Sequence, residues 1–234
     1  MVTPDRLREL AAAAEPRAGI INLFFVSPGP GVTTLLLIRH AQMETTTSMD
    51  DLHLTELGRE QAEVLGQYLS HGKIEAVYAS PTARARETAA PLARIHTVEV
   101  EVVADLRDLE QRRPLDRPLP ELLEQEFGPE EAARRLERLR TEQSFDVLSP
   151  FLEPGAEFRA RVTAAIDAII ERHPGRQIAV VTHAPVIMAY VVSLLASPLD
   201  FPMNPKLTSI TRVLARDGRR TLEYINATPH LDVW

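Results

Sequence analysis

Two histidines follow short apolar segments of this chain. His40 comes just after the run Leu35–Ile38, and His183 comes just after Ile178–Val181. Short runs rich in Leu, Ile and Val, with polar residues beyond them, are typical of buried β-strands. Parallel strands of an open α/β sheet place their ligands at the carboxyl edge of the sheet. The spacing therefore predicts that both imidazoles lie at one edge of one sheet.

Two arginines are expected at the same edge. Arg39 precedes His40, and Arg84 lies near the start of a helix predicted to follow the strand Ala76–Ala79. A guanidinium group stays charged and has forked donors that suit phosphate oxygens. A helix predicted to begin near Ala184 also directs its N-terminal N–H groups at this edge, which favours an anion there. Together these groups indicate a phosphate-binding site.

Acidic side chains follow another predicted strand, Val98–Val103. Asp105, Asp108 and Glu110 all come after it, at the same end of the sheet. A neutral imidazole can attack phosphorus while cationic side chains hold the charge on the phosphoryl oxygens. A carboxylic acid can protonate the leaving oxygen and later activate water. The set favours phosphoryl transfer, and it requires no metal ion because Arg and His supply the positive charge.

Strand patterns alternate with helix patterns in the elements that must position these residues. Thr55 is the expected N-cap of an amphipathic helix. The helix that carries Arg84 is expected to have Ser80 as its N-cap and Pro81 as its first residue. A long helix is predicted from Gly155 to Arg172. The alternation predicts a three-layer α/β/α fold with a mostly parallel sheet covered on both faces.

The chain divides into an N-terminal extension, residues 1–33, and one domain over residues 34–234. A proline- and charge-rich segment near 112–150 contains helical patterns and is expected to form a helical insertion. The domain closes with two predicted strands, Ser209–Ala215 and Thr221–Ile225, joined by a tight turn.

Composition narrows the function classes. The 234 residues include no cysteine, which excludes disulfides, thiol nucleophiles and cysteine-ligated metals and fits a cytoplasmic protein. The net charge of −7 argues against a nucleic-acid partner. No apolar run approaches the roughly 18 residues of a membrane span, so no membrane association is expected. Neither a metal nor any other cofactor is expected.

The ordered motifs resemble those of the histidine phosphatase (phosphoglycerate mutase-like) superfamily, branch 1. The resemblance covers about residues 35–231 and implies the fold that bears the family's name. Ala replaces Gly in both histidine motifs. Four segments carry the resemblance: Leu37–Ala41, like the Arg-His-Gly signature; Leu54–Ala62, like the segment after it; Ser80–Ala89, like Ser-Pro-x-x-Arg-Ala-x-x-Thr-Ala; and Val180–Ala184, like the second-histidine element.

The resemblance implies a role for each member of the constellation. His40 would be the nucleophile that carries the phosphoryl group. Arg39, Arg84 and His183 would form the phosphate pocket, and His183 would also take part in catalysis.

The proton donor is less well specified by the resemblance. The family usually has a Glu in a Leu-x-Glu segment, which Leu106–Asp108 matches with Asp. The Gly- and Trp-containing stretch that usually follows is missing here. Asp108 is the expected general acid, and Glu110 is the alternative.

Two departures from the family patterns bear on the substrate: the first favours hydrolysis over mutase activity, and the second does not fit the acid phosphatase and phytase branch. The loop 42–53 lacks the Trp-Asn and Arg-x-x-Gly pattern with which the mutases bind carboxylated sugar phosphates. His183 is followed by Ala184, whereas the acid phosphatase and phytase branch has His-Asp at this position. We therefore expect a metal-independent phosphatase that works through a phosphohistidine on His40.

Other interpretations of function stay open at this stage. One is a mutase-like phosphotransferase that uses the same phosphohistidine, and another is a non-catalytic scaffold that binds a phosphate ligand. The expected partner is a small-molecule phosphate monoester. A phosphoprotein substrate and a homodimeric state also stay open.

Overall fold

The computed structural model describes residues 25–44, 52–113 and 116–231. Most of the expected N-terminal extension, residues 1–24, lies outside the described residues. Six strands form one sheet: β1 (Thr33–Arg39), β2 (Ala76–Ala79), β3 (Val100–Val102), β4 (Gln177–Thr182), β5 (Ile210–Arg216) and β6 (Arg219–Ala227). Among the described residues, six α-helices accompany them: α1 (Glu56–Leu69), α2 (Ala83–His96), α3 (Leu119–Phe127), α4 (Pro129–Thr141), α5 (Gly155–Arg172) and α6 (Ala184–Leu195).

The sheet is parallel over most of its width. Its strand order is β3-β2-β4-β1-β5-β6. The first four strands in this order run parallel to one another, and β5 and β6 are antiparallel to their neighbours. The prediction of a mostly parallel sheet is confirmed, and the closing antiparallel strands are the predicted hairpin.

Helices cover both faces of the sheet, which produces the predicted three layers. In β1, Leu35 and Leu37 pack with α5 and α6 on one face, whereas Leu36 and Ile38 pack with α1 and α2 on the other. Successive side chains of a strand point to opposite faces. Burial on both faces therefore explains why this strand is continuously apolar instead of alternating.

The parallel strands bring their carboxyl ends to one edge of the sheet. Hydrogen bonds continue beyond the strands there, since His40 N–H donates to the Thr182 carbonyl at 2.9 Å. Ser80 N–H donates to the Val181 carbonyl at the same distance. These bonds hold the first residues of the edge loops in register with the sheet.

The segment between β3 and α5 contains α3 and α4, in the region where a helical insertion is expected. These helices share a small apolar core with Phe151, separate from the two cores that flank the sheet. No helix among the described residues is long and apolar enough to cross a membrane.

Several element boundaries differ from the predictions, among them those of α2, β3 and β6, which spans Arg219–Ala227 where Thr221–Ile225 was predicted. Thr55 caps α1 as predicted, accepting a hydrogen bond from Gly58 N at 3.0 Å. In contrast, α2 begins at Ala83 with Thr82 in the N-cap position, so the prediction of Ser80 as N-cap is wrong. The Ser80 hydroxyl is hydrogen-bonded across the sheet edge instead. Strand β3 is shorter than the predicted Val98–Val103 and pairs only with β2.

Candidate active site

His40 lies directly after β1 and is buried. Its Nδ1 is 2.8 Å from the Ala41 carbonyl oxygen. A carbonyl oxygen can only accept a hydrogen bond, so Nδ1 carries the hydrogen of the neutral ring. The lone pair is therefore on Nε2, which is the nitrogen available to attack an electrophile.

A threonine on α2 fixes the backbone beside this imidazole. Thr88 is buried, and its hydroxyl accepts a hydrogen bond from Ala41 N–H at 3.0 Å. The same hydroxyl donates to the Arg84 carbonyl at 2.7 Å. Thr88 thus positions the residue whose carbonyl selects the tautomer of His40.

His183 follows β4, in the N-cap position of α6, and is buried. The His40 and His183 rings meet edge to face with centroids 5.3 Å apart. Nδ1 of His183 is 3.3 Å from Arg84 Nη2, and its Nε2 is 2.7 Å from Ser80 Oγ. Since a guanidinium group can only donate, Nδ1 accepts, and the neutral ring carries its hydrogen on Nε2 toward Ser80.

Both imidazoles are neutral at neutral pH. The pKa of His40 is lowered to about 3. Burial is the largest cause, the hydrogen bond to Ala41 opposes it, and the nearby His183, Arg84 and Arg39 add to the lowering. Burial also lowers the pKa of His183 to about 3, with the charges of Arg84 and Arg39 acting in the same direction. A neutral imidazole is the form that can act as a nucleophile.

The two arginines bring positive charge to the histidines. Arg84 lies in the first turn of α2 with a side chain only 5% exposed. Arg39 Nη1 donates to the Pro205 carbonyl, and burial lowers the pKa of Arg39 while the nearby Asp108 opposes that shift. The Nε atom of each arginine is buried without a hydrogen-bond partner. Unpaired buried donors are costly, and the positive charge of the two guanidinium groups favours an anion beside them.

Asp108 reaches the same group of residues from the loop after β3. Its Oδ2 is 3.4 Å from Arg84 Nη2 and 3.4 Å from His183 Nδ1. Its Oδ1 accepts a hydrogen bond from Leu109 N–H at 2.9 Å. The side chain is 36% exposed, so the carboxyl group faces both the buried cations and solvent.

The other acidic candidates face a neighbouring arginine. Glu110 Oε2 lies 3.7 Å from Arg107 Nη2, and Asp105 Oδ1 lies 3.2 Å from Arg107 Nη1. Both carboxylates are more than half exposed. The structure therefore brings one of the three carboxylates into contact with the cationic pocket, and that one is Asp108.

Two polar residues of the site were not predicted to have their observed contacts. Ser80 was expected to cap a helix. Thr88 belongs to the Ser80–Ala89 segment that resembles the family motif, but no contact was predicted for its side chain. The spacing of Arg84 and Thr88 was a usable signal, since residues four apart share one helix face. The Ser80–His183 bond joins residues 103 positions apart, and no local pattern indicates it.

The arrangement can bind and attack a phosphate ester. Guanidinium groups and a neutral imidazole surround an imidazole with a free Nε2 lone pair, and a carboxyl group stands at the solvent side. Within the described ranges, no group of three or more His, Asp or Glu side chains could hold a metal ion.

The profile of the histidine phosphatase superfamily (branch 1) matches residues 35–228. The chain belongs to this superfamily, and its three-layer architecture is the phosphoglycerate mutase-like fold.

The similarity to two relatives extends over most of the chain. An uncharacterized protein of Mycobacterium tuberculosis is 27% identical over 214 residues, covering 86% of this chain and 98% of its own length. Phosphoserine phosphatase 1 of Hydrogenobacter thermophilus is 25% identical over 204 residues, covering 84% of this chain and 93% of its own. The crystal structure of phosphoglycerate mutase from Bacillus anthracis superposes with a TM-score of 0.70 at 22% identity, over 87% of this chain and 96% of that one.

Proposed function

We propose that this protein is a metal-independent phosphatase that hydrolyses phosphate monoesters through a phosphohistidine on His40. The observation that carries the proposal is the neutral His40 ring, whose Nδ1 hydrogen is bonded to the Ala41 carbonyl. Its free Nε2 lies in a pocket with Arg39, Arg84 and His183. Membership of the superfamily and the similarity to a phosphoserine phosphatase support hydrolysis of small phosphate monoesters.

In the first step, the phosphoryl oxygens accept hydrogen bonds from Arg39 and Arg84, and the neutral ring of His183, held by its bond to Ser80, lines the phosphate pocket. The Nε2 lone pair of His40 forms a bond to phosphorus while the bond from phosphorus to the ester oxygen breaks. The electron pair of that bond leaves with the oxygen, which takes the proton of the Asp108 carboxylic acid. The products are the free alcohol and phosphorylated His40.

In the second step, Asp108 acts as a base. Its carboxylate takes a proton from a water molecule, whose oxygen attacks phosphorus. The P–N bond breaks and its electron pair returns to Nε2 of His40. Inorganic phosphate leaves, and Asp108 has regained the proton for the next cycle.

Asp108 is proposed as the acid because its carboxyl group contacts the pocket, 3.4 Å from both Arg84 Nη2 and His183 Nδ1. Glu110 is turned toward Arg107. The backbone of its loop is attached to the carboxyl end of β4, since the Thr182 hydroxyl donates to the Leu106 carbonyl at 2.8 Å.

The experiment measures phosphate release in EDTA from phosphoserine, 3-phosphoglycerate and phenyl phosphate. We expect release by the intact protein, a loss of kcat of about 10⁴-fold or more in His40→Ala, and little change in His71→Ala, which alters an exposed histidine. Release that survives in His40→Ala, or that stops with the chelator, would contradict the proposal. Transfer to an alcohol without net hydrolysis would indicate a phosphotransferase, and phosphate binding without turnover would indicate a scaffold.

A further inference from the structure

The loop that carries Asp108 is bound through its main chain. We call this loop, residues 105–110, the acid loop. Four consecutive carbonyl groups in it accept hydrogen bonds from side chains. Arg161 on α5 donates to the carbonyls of Asp105 at 2.8 Å, Arg107 at 3.2 Å and Asp108 at 3.4 Å. Thr182 donates to the remaining carbonyl, that of Leu106, at 2.8 Å.

Arg161 is held in place by a buried carboxylate. Glu153 lies just before α5, is 4% exposed, and pairs through Oε1 with Arg161 Nη2. The same Oε1 accepts a hydrogen bond from Glu110 N–H at 2.8 Å, and Glu153 N–H donates to the Glu110 carbonyl at 2.9 Å. The Arg161–Glu153 pair therefore holds the acid loop on both sides of Asp108.

The bonding pattern requires a guanidinium group. Nη1 serves two carbonyls, and Nη2 serves the Asp108 carbonyl and the Glu153 carboxylate. The planar fork of arginine makes these bonds at fixed angles, whereas the lysine ammonium is a point charge on a flexible chain. The Arg161 side chain is 11% exposed, so water has little access to its guanidinium group.

We propose that Arg161 and Glu153 are positioning residues that set the orientation of the Asp108 carboxyl group and thereby control protonation of the leaving group. This inference rests on the proposed function, in which Asp108 is the general acid. Neither residue contacts the substrate in this mechanism. Their effect is therefore expected in the step that uses the carboxyl proton, since the bonds of Arg84 to His183 and of Arg39 to Pro205 involve neither Arg161 nor Glu153.

The test compares two esters in Arg161→Met. Phenyl phosphate releases a basic phenolate that needs a proton, whereas 2,4-dinitrophenyl phosphate releases a phenolate that is stable without one. kcat/KM covers the steps up to leaving-group departure, so breakdown of the phosphohistidine does not enter it. We expect a decrease of about 10²-fold for phenyl phosphate and of less than about threefold for the dinitrophenyl ester.

Arg159→Met is the matched control. Arg159 lies on the same helix and pairs with another buried carboxylate, Asp200, whose second oxygen accepts Phe145 N–H at 2.8 Å. Its loss removes a comparable ion pair without touching the acid loop. We expect the ratio of kcat/KM for the two esters to stay within about twofold of that of the intact protein.

Glu153→Gln is a second variant that keeps the side-chain shape and weakens the pair with Arg161. Like Arg161→Met, it should lower the ratio of kcat/KM for phenyl phosphate to kcat/KM for 2,4-dinitrophenyl phosphate, but by a smaller factor. This variant also serves if Arg161→Met does not yield folded protein, as judged by its circular dichroism.

Equal losses on both esters in Arg161→Met and Glu153→Gln, or no loss on either ester, would overturn the inference while leaving the phosphatase proposal standing. Failure of the intact protein to hydrolyse either ester would overturn the phosphatase proposal, and the inference would fall with it.

Discussion

At the scale of single residues, burial has set the chemistry of the site. A histidine near pH 7 is ordinarily a mixture of charged and neutral forms. Here two imidazoles share a pocket with two guanidinium groups, and burial and charge both oppose protonation. The site therefore contains two positively charged guanidinium groups and two neutral imidazoles. The nucleophile stays unprotonated beside the groups that bind the phosphate charge.

This protonation state makes stability depend on pH. His40 takes up a proton near pH 6.5 in the unfolded chain but only near pH 3 in the folded protein. The unfolded state therefore binds more protons between these values, and the free energy of unfolding falls as the pH drops. From pH 7 to pH 5 this histidine accounts for a decrease of about 2 kcal/mol.

Urea unfolding at both pH values measures the effect. In His40→Gln the decrease between pH 7 and pH 5 should shrink by about 2 kcal/mol. The exposed His71→Gln serves as the control and should keep the full decrease. An unchanged pH dependence in His40→Gln would show that the folded protein protonates this ring as readily as the unfolded chain.

The choice between two carboxylates is also a question about single residues. Asp108→Asn keeps the side-chain shape but has no proton to give, so kcat/KM for phenyl phosphate should fall by about 10²- to 10⁴-fold. Glu110→Gln alters a group that faces Arg107 and should change it by less than about threefold. Steady-state kinetics decide the matter, and the reverse ranking would make Glu110 the acid.

At the scale of elements, one glycine sets how closely α1 approaches the loop after β1. A Cβ atom on Gly58 would lie 2.0 Å from the Gln42 carbonyl oxygen and 2.9 Å from its carbon. Both are backbone atoms, so neither can move aside without moving the loop. The helix therefore packs directly on the main chain two residues after His40, and this contact explains the glycine of the Leu-Thr-Glu-Leu-Gly motif.

Gly58→Ala should destabilise the protein by about 1–3 kcal/mol, despite the better helix propensity of alanine. Gly66→Ala, in the same helix, is the comparison. Its Cβ would meet the flexible end of the Ile95 side chain at 3.0 Å, so its stability should stay within about 1 kcal/mol of the parent protein. Denaturation midpoints provide the measurement, and equal stability of the two variants would refute the steric argument.

The elements also show where sequence patterns succeed and where they stop. Hydrophobic periodicity and capping residues predicted α1 with Thr55 as its N-cap, because both signals are local to the helix. The start of α2 was predicted too early because Ser80 and Pro81 form a standard helix beginning. The Ser80 hydroxyl is hydrogen-bonded to His183 instead. These residues are 103 positions apart, so local sequence patterns do not indicate the bond.

The same limit applies to the residues around Asp108. Strand ends place His40, Arg84 and His183 correctly at one edge, since parallel strands share a direction. Arg161 and Glu153 look like ordinary surface charges in the sequence, because charged side chains on and beside a helix are usually solvated. Only the packing of α5 against the acid loop shows that Glu153 is buried and that the Arg161 side chain is only 11% exposed.

At the scale of the whole molecule, the sheet joins distant segments into one anion site. A ligand that binds only this assembled site stabilises the folded state, by about 2.7 kcal/mol at a concentration of one hundred times Kd. We therefore expect inorganic phosphate to raise the free energy of unfolding of the intact protein by that amount, measured by urea denaturation with and without phosphate.

Two arginines of α2 provide the matched pair for this measurement. Arg84→Met should abolish the stabilisation by phosphate, since Arg84 is buried in the pocket. Arg86→Met should retain it, because Arg86 is exposed two residues further along the helix. Persistence of the effect in Arg84→Met would mean that phosphate binds elsewhere on the protein.

The attachment of the acid loop by its carbonyl groups has an evolutionary consequence. Every amino acid has a main-chain carbonyl group, so the hydrogen bonds from Arg161 and Thr182 do not depend on which side chains the loop carries. Substitutions within residues 105–108 leave all four anchors in place. Evolution can therefore replace Asp108 by another acid, or change the neighbouring side chains, while the backbone of the loop keeps its position.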